Sequence, residues 1–271
     1  MAAPNRRRHP WRRRFGALAR FVGALVLVGG VYTAFAPGIY AEEAGKSSEE
    51  LIAEGKALFD ESCISCHGPN AQGVDGKGVS LVGTGSAAVE FQVNSGRMPM
   101  ARQEAQAERK QPMFTPEEAE ALAAYIQSLG GGPEAVTAEE VMADIEAAGD
   151  EAVAEGNELF RVNCSSCHGY ATGGGALSSG KFAPSLDGVP VDEIYEAMLT
   201  GPQNMPVFAD NQLSAEEKVQ IIAYIEYINK DTDQGGPFAL GRFGPSTEGL
   251  AIFLVGITTL AVATLWIAGK S

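Results

Sequence analysis

Residues 54–68 read EGKALFDESCISCHG, and residues 155–169, which lie 101 positions further along, read EGNELFRVNCSSCHG. The two segments share Glu, Gly, Leu, Phe, Cys, Ser, Cys, His and Gly at equal positions. The similarity continues downstream, because TPEEAEALAAYIQSL at 115–129 parallels SAEEKVQIIAYIEYI at 214–228. Each copy is therefore predicted to contain a helix, a C-x-x-C-H motif, a long glycine-rich loop and a second helix. The repeat predicts an all-α fold with two tandem domains.

Three segments begin with a capping box, in which a Ser or Thr is followed three residues later by a glutamate at the start of a helix. Two of them open the second helix of each repeat, and the third lies in an acidic linker between the repeats and predicts a short helix over 137–148. Coherent strand patterns are absent, since the loops are rich in Gly, Pro and Ser. The boxes are Thr115 with Glu118, Thr137 with Glu140, and Ser214 with Glu217.

The cysteines and histidines point to one chemistry. All four cysteines and two of the three histidines lie in the two C-x-x-C-H motifs, the pattern of c-type haem attachment. Two thiols separated by two residues can reach both vinyl groups of one porphyrin, and the next residue offers its imidazole to the iron. We therefore predict two covalently bound haems c (iron). The predicted attachment residues are Cys63, Cys66 and His67, and Cys164, Cys167 and His168.

Other uses of these motifs fit less well. A zinc site needs four ligands, whereas each motif offers three. A thioredoxin-like redox site needs a βαβ context, and the sequence shows none. A disulfide is compatible with an exported chain, but it would not explain why a histidine follows both cysteine pairs.

The sixth iron ligand is predicted to be methionine, because the remaining histidine, His9, lies in the arginine-rich leader. Met/His ligation raises the reduction potential of a haem. In each repeat a Met-Pro pair lies in the loop ahead of the second helix, where proline keeps its predecessor out of a helix and stiffens the loop. Met142 and Met198, at helical spacing among apolar residues, are predicted to fill the core. The predicted ligands are Met98 and Met205, with Met100 and Met113 as alternatives to Met98.

Both ends of the chain carry apolar segments. Segment 1–41 has seven arginines and then an uncharged run, the layout of a signal peptide with a cleavage site at 39–41; an uncleaved anchor is the alternative. Segment 249–269 contains LAIFLVGITTLAVATLWIA, which is long enough to cross a hydrocarbon core of about 30 Å. Trp266 and Lys270 are suitable interface anchors. We predict a membrane-bound protein.

Charge is distributed unevenly along the chain. Removing the seven leader arginines and Lys270 from the net charge of −14 leaves −22 for the middle. Because Lys and Arg beside membrane segments stay cytoplasmic, the haem domains are predicted outside the plasma membrane and the short carboxy-terminal tail inside. The acidic exterior either attracts electropositive partner faces or only keeps the domains soluble. No nucleic-acid partner is expected.

Each repeat resembles a class I cytochrome c domain, in which the first and last helices cross through a glycine and an aromatic residue. The resemblance also implies that a loop carbonyl accepts the second ring N–H of the axial histidine. Pro184 fits this role for His168, whereas the first repeat has GVSL at 78–81, without a proline, and leaves the partner of His67 open. The residues matching the helix crossing are Gly55 and Phe59 with Tyr125, and Gly156 and Phe160 with Tyr224.

The order of the parts resembles the dihaem cytochrome c subunit of actinobacterial cytochrome bcc complexes. That resemblance implies a subunit of a quinol–cytochrome c reductase, which takes electrons from a Rieske iron–sulfur subunit beside a cytochrome b subunit. It further implies delivery through both haems to an aa3-type cytochrome c oxidase. The predicted parts are 1–41 signal or anchor, 42–132 domain 1, 133–150 acidic linker, 151–232 domain 2, 233–248 connector and 249–269 membrane helix.

Two other functions remain open from the sequence. A dihaem subunit of a cbb3-type oxidase or of a dehydrogenase would also carry two C-x-x-C-H motifs, but the oxidase subunit is expected to be anchored ahead of its haem domains. A dihaem peroxidase would need one iron with an open position, and the two Met-Pro pairs argue against it.

Overall fold

The computed structural model describes residues 19–28, 46–102, 104–230 and 245–270. Residues 1–46 and 47–271 are separate units. The first contains the apolar helix α1, Ala19–Val28. Most of the predicted signal or anchor segment 1–41, including its cleavage site, lies outside the described residues, as does most of the connector 233–248.

The second unit is built from helices, as predicted. The first repeat contains α2 (Ser48–Ser62), α3 (Ile64–His67), α4 (Ser86–Asn94) and α5 (Pro116–Ser128). The second contains α6 (Ala138–Asn163), α7 (Ser165–His168), α8 (Val191–Thr200) and α9 (Ala215–Lys230), followed by α10 (Pro245–Ala268). All three predicted capping boxes form, since in each the glutamate side chain accepts the amide of the Ser or Thr and the hydroxyl accepts the amide of the glutamate.

The sequence shows no coherent strand pattern, yet the structure contains one short pair of strands. Strands β1 (Gly175–Ala176) and β2 (Phe182–Ala183) form a two-residue antiparallel pair around a short 3₁₀ turn at Ser178–Gly180. A pair this short depends on backbone hydrogen bonds between the ends of a glycine-rich loop. It leaves no alternating side-chain pattern for sequence analysis to detect.

Each repeat is held by a crossing of its first and last helices, α2 with α5 and α6 with α9. A methyl group on Gly55 would overlap the backbone carbonyl of Ala121, and one on Gly156 would overlap that of Gln220. The close approach brings the aromatic pairs together: both Phe59–Tyr125 and Phe160–Tyr224 have ring centroids 5.3 Å apart. The pairings implied by the resemblance are therefore observed.

The acidic linker packs on the second repeat. Its helix is the first part of α6, which is interrupted at Gly149, where φ is +69°. Val141 is buried in the core of the second repeat, and Ile145 packs against that core. Met142 lies one residue further around the helix and is 42% exposed, so its predicted role as core filler is wrong, whereas Met198 is 2% exposed and fills the core.

The two repeats have separate hydrophobic cores, yet they touch. Helix α4 packs on α8, and the loop that follows Met98 reaches the second repeat. Gln106 exchanges hydrogen bonds of 2.7 and 3.0 Å with the backbone of Phe182, and Gln203 exchanges bonds of 3.2 and 3.0 Å with the backbone of Ala107. These contacts join the repeats at one interface.

Among the described residues, Gly249–Ala268 is the one helix long and apolar enough to cross a membrane, with a mean hydropathy of 2.3. The described part of the chain leaves its side chains uncovered. The Lys270 ammonium lies 4.0 Å from the centre of the Trp266 ring, a cation–π contact. This end of the helix matches the predicted interface anchor.

Candidate haem sites

Each C-x-x-C-H motif forms a tight turn at the end of the first helix of its repeat. The amides of Cys66 and His67 donate to the Cys63 carbonyl at 3.2 and 3.0 Å, and those of Cys167 and His168 donate to the Cys164 carbonyl at 3.1 and 2.9 Å. Because the same bonds form in both repeats, the two thiols and the imidazole of each motif have the same local arrangement.

The first thiol of each motif lies in a low-dielectric environment. Burial, with a smaller effect from the second thiol, raises the pKa of Cys63 to about 11 and that of Cys164 to about 12. Both cysteines pack against the core of their own repeat. Each of these thiols is therefore protonated at neutral pH and partly shielded from water by its own domain core.

Both histidines are oriented through Nδ1. Nδ1 of His168 lies 3.0 Å from the Pro184 carbonyl oxygen, and Nδ1 of His67 lies 2.8 Å from that of Val79. A carbonyl can only accept, so Nδ1 carries the proton and Nε2 keeps the lone pair that an iron needs. Burial also lowers the pKa of His168, and the bond to the Pro184 carbonyl partly opposes this effect. The lowered pKa favours the neutral imidazole. Val79 supplies the partner that the sequence left open.

The four predicted residues of the second site meet around one cavity. Cys164, Cys167, His168 and Met205 all line it. The cavity walls are largely apolar, as a porphyrin requires. Two thiols, an imidazole with a free Nε2, a thioether and apolar walls fit a haem c. The apolar wall residues include Phe160, Leu186, Ile194, Met198, Phe208 and Ile221.

The first candidate site comprises the C-x-x-C-H turn at 63–67 and the loop after α4. Cys63 packs on the first core and His67 bonds to Val79. Met98 lies in the loop after α4, where its amide donates to the Gln92 carbonyl at 2.9 Å. Met98 and Met100 are both half-buried, so burial does not distinguish them. Met98 remains a prediction, made because its Met-Pro pair matches that of Met205.

Residues of the first repeat also line the second cavity, and the sequence did not indicate this. They are Phe91, Arg97, Gln106 and Arg109. Arg97 immediately precedes a predicted ligand of the first haem, so its position in the sequence suggests the wrong site. The packing of α4 on α8 and the contacts of the loop after Met98 bring these side chains across.

Buried and half-buried carboxyl groups cluster where α4 meets α8. Burial is the largest cause of the raised pKa values: about 9 for Glu196, about 7 for Glu90, and a smaller rise for Glu193. Neighbouring carboxylates, among them Asp192, raise these pKa values further. The amide of Val136 opposes the rise at Glu196, and Arg109 opposes it at Glu193.

Comparison with known proteins identifies a cytochrome family in each repeat. The family model described as "Cytochrome c" matches residues 52–130, and the one described as "Cytochrome C oxidase, cbb3-type, subunit III" matches residues 151–225. A protein of Corynebacterium diphtheriae, named cytochrome bc1 complex cytochrome c subunit, is 49% identical over 265 residues, which cover 94% of each chain. The chain belongs to the family of cytochrome c subunits of the cytochrome bc1 complex.

Relatives in other organisms carry the same name. The protein of Mycobacterium tuberculosis is 44% identical over 98% of this chain and 95% of its own, and that of Mycobacterium leprae is 46% identical over 92% and 86%. The predicted kinship and the two cytochrome c domains are thus confirmed. Cytochrome c domains imply covalently bound haem c, and the subunit is an electron-transfer component of its complex. The cbb3-type match covers the second domain alone.

Proposed function

We propose that this subunit binds two haems c and carries electrons out of a quinol-oxidising cytochrome bcc complex. The observation that carries the proposal is the cavity at which Cys164, Cys167, His168 and Met205 meet. The first domain repeats the motif, its turn geometry and the oriented histidine. Two motifs with the same local structure support two haems rather than one.

The chain's own residues would hold each haem as follows. The two thiols of a motif would hold the haem covalently, and the histidine Nε2 together with Met98 or Met205 would bind its iron. The haem, when bound, supplies one-electron redox chemistry at its iron. Val79 and Pro184 orient the imidazoles, while the apolar walls exclude water and help to set the reduction potential.

The proposed partners follow from the whole-chain kinship. They are a cytochrome b subunit, a Rieske iron–sulfur subunit as electron donor and an aa3-type oxidase as acceptor. The proposed place is the plasma membrane, with the cytochrome domains outside, the chain anchored by 249–269 and its tail in the cytoplasm. The subunit would thus be part of a quinol–cytochrome c reductase, with no catalytic site of its own beyond electron transfer.

A cbb3-type oxidase subunit is the second candidate, favoured by the family match at 151–225. Two observations favour the bcc assignment over it. The relatives that match nearly the whole chain are named as bc1 complex subunits, and the apolar helix α10 follows the haem domains instead of preceding them.

The test is purification of the full-length protein with its complex in mild detergent. We expect two haems c per chain in a pyridine haemochrome assay, together with haem b, a Rieske signal and quinol oxidation. Fewer than two haems per chain would contradict the proposed cofactor content. A high-spin haem b–copper centre without quinol oxidation would instead support the cbb3-type candidate.

A further inference from the structure

Arg97 is a buried cation without a sufficient partner. It belongs to the first domain, is 8% exposed and lines the cavity of the second domain. Its guanidinium carbon lies 4.8 Å from the centre of the Phe91 ring. Its Nη1 has no hydrogen-bond partner among the described residues. A buried guanidinium cannot release its proton, and leaving one of its donors unpaired is costly.

The neighbouring charges do not resolve this. Among the described residues that line the cavity, Glu193 is the carboxylate, and its side chain pairs with Arg109. Lys181, a further cation at the cavity, donates to Asn204 at 2.8 Å. This side of the cavity therefore carries excess positive charge.

The chemistry that fits this excess is a carboxylate within the cavity. A haem has two propionate groups, and attachment to Cys164 and Cys167 would hold its vinyl groups at the motif and leave the propionates for other parts of the wall. We propose that Arg97 donates hydrogen bonds to a propionate of the second domain's haem. This inference rests on the proposed function, because it requires a haem on the second motif.

It follows that the first domain completes the haem site of the second. A positive charge beside the propionate favours the reduced haem, since reduction adds an electron. Arg97 is then a positioning residue that raises the potential of the second haem across the domain boundary, although it directly precedes the predicted ligand of the first.

The test compares Arg97→Gln with wild type in the full-length, two-haem protein by spectroelectrochemical titration. A Met205→His protein, titrated separately, shows which midpoint belongs to the second haem. The matched control is Arg102→Gln, since Arg102 follows Arg97 in the same loop but its side chain is 81% exposed. In Arg97→Gln we expect the reduction equilibrium constant of the second haem to fall by about tenfold. For one electron this corresponds to a midpoint potential lower by roughly 59 mV. The first haem and the control should keep their midpoints.

Other results would overturn the inference. If Arg97→Gln retains two haems and the second midpoint is unchanged, or only the first midpoint falls, Arg97 does not serve the second haem. A wild-type protein without haem on the second motif would overturn the proposed function as well.

A second measurement applies if Arg97→Gln does not retain both haems. Wild type and Arg97→Lys, each with isotope-labelled haem propionates, are compared by infrared difference spectra recorded across the titration of the second haem. Altered propionate bands in Arg97→Lys support the contact, because an ammonium cannot reproduce the guanidinium fork. Unchanged bands overturn it.

Discussion

At the residue scale, Met205 is the predicted iron ligand that the structure supports best. It lines the same cavity as His168 and both cysteines of the second motif, and its amide donates to the Pro202 carbonyl at 3.0 Å. Met98 occupies the corresponding loop of the first domain, where it is half-buried like Met100. The two methionines therefore call for separate tests.

Met205→Ala should convert one haem to the high-spin state and lower its potential, because a thioether ligand raises the potential of a haem. Both haems should stay attached, since the thioether bonds do not involve Met205. Optical and electron paramagnetic resonance spectra measure this, with the exposed Met142→Ala as control. An unchanged low-spin spectrum would rule out Met205 as a ligand.

Glu196 should make the protein less stable as pH rises. Burial raises its pKa from 4.5 to about 9, so the folded state keeps a proton that the unfolded chain releases near its ordinary pKa. Between these values the native state binds more protons, and the free energy of unfolding decreases with increasing pH. Above the pKa that Glu196 has in the folded state, the free energy of unfolding decreases no further on account of this group.

Glu196→Gln should reduce this pH dependence, because an amide does not ionise. The measurement is chemical unfolding of the full-length protein in detergent at pH values of about 6 and 8. Glu158→Gln is the control, since the Glu158 side chain is 71% exposed. If Glu196→Gln loses as much stability as wild type between the two pH values, the cause lies in other groups, such as Glu90 or Glu193.

At the element scale, the crossing of first and last helices defines each domain. Gly55 and Gly156 allow the backbones to touch, and the Phe–Tyr pairs fill the space beside them. The linker helix adds to the second core through Val141, and a break at Gly149 separates it from the rest of α6. The second domain is thus built from more of the chain than the repeat itself.

Gly156→Ala should destabilise the second domain by about 1–3 kcal/mol or more, because the added methyl group would overlap the Gln220 carbonyl and force the helices apart. Gly173→Ala is a suitable control, since nothing lies within 4 Å of a methyl group there. Thermal unfolding followed at the haem absorption band reports the difference. Equal melting temperatures for the two variants would contradict the close crossing.

At the scale of the whole molecule, two separate cores share one interface. Contacts of Gln106, Arg109 and Gln203 connect the domains, and α4 packs on α8. Residues of the first domain line the cavity of the second. Loss of one haem is therefore expected to have different effects depending on the domain.

Replacing both Cys164 and Cys167 with serine should remove one haem and leave the first domain folded, since its core is separate. The same change at Cys63 and Cys66 should also leave one haem, but with a shifted potential, because α4 supports the second cavity. Pyridine haemochrome assays and redox titration measure both. Loss of both haems from the first double variant would show that the domains do not fold independently.

The sequence by itself determined the features that depend on neighbours along the chain. These are the C-x-x-C-H turns, the three capping boxes, the apolar run of α10 and, through the 101-residue repeat, the two-domain α fold. Each of these features depends on residues a few positions apart or on a pattern that occurs twice in the chain.

Only the tertiary structure decided which distant groups meet. The bond of His67 to Val79, the packing of the linker on the second core and the position of Arg97 in the second cavity all depend on how packed helices place their loops. The two-residue strands and the exposure of the Met142 side chain also depend on this packing. No local pattern encodes such contacts, because they are set by the shape of the surfaces that pack together.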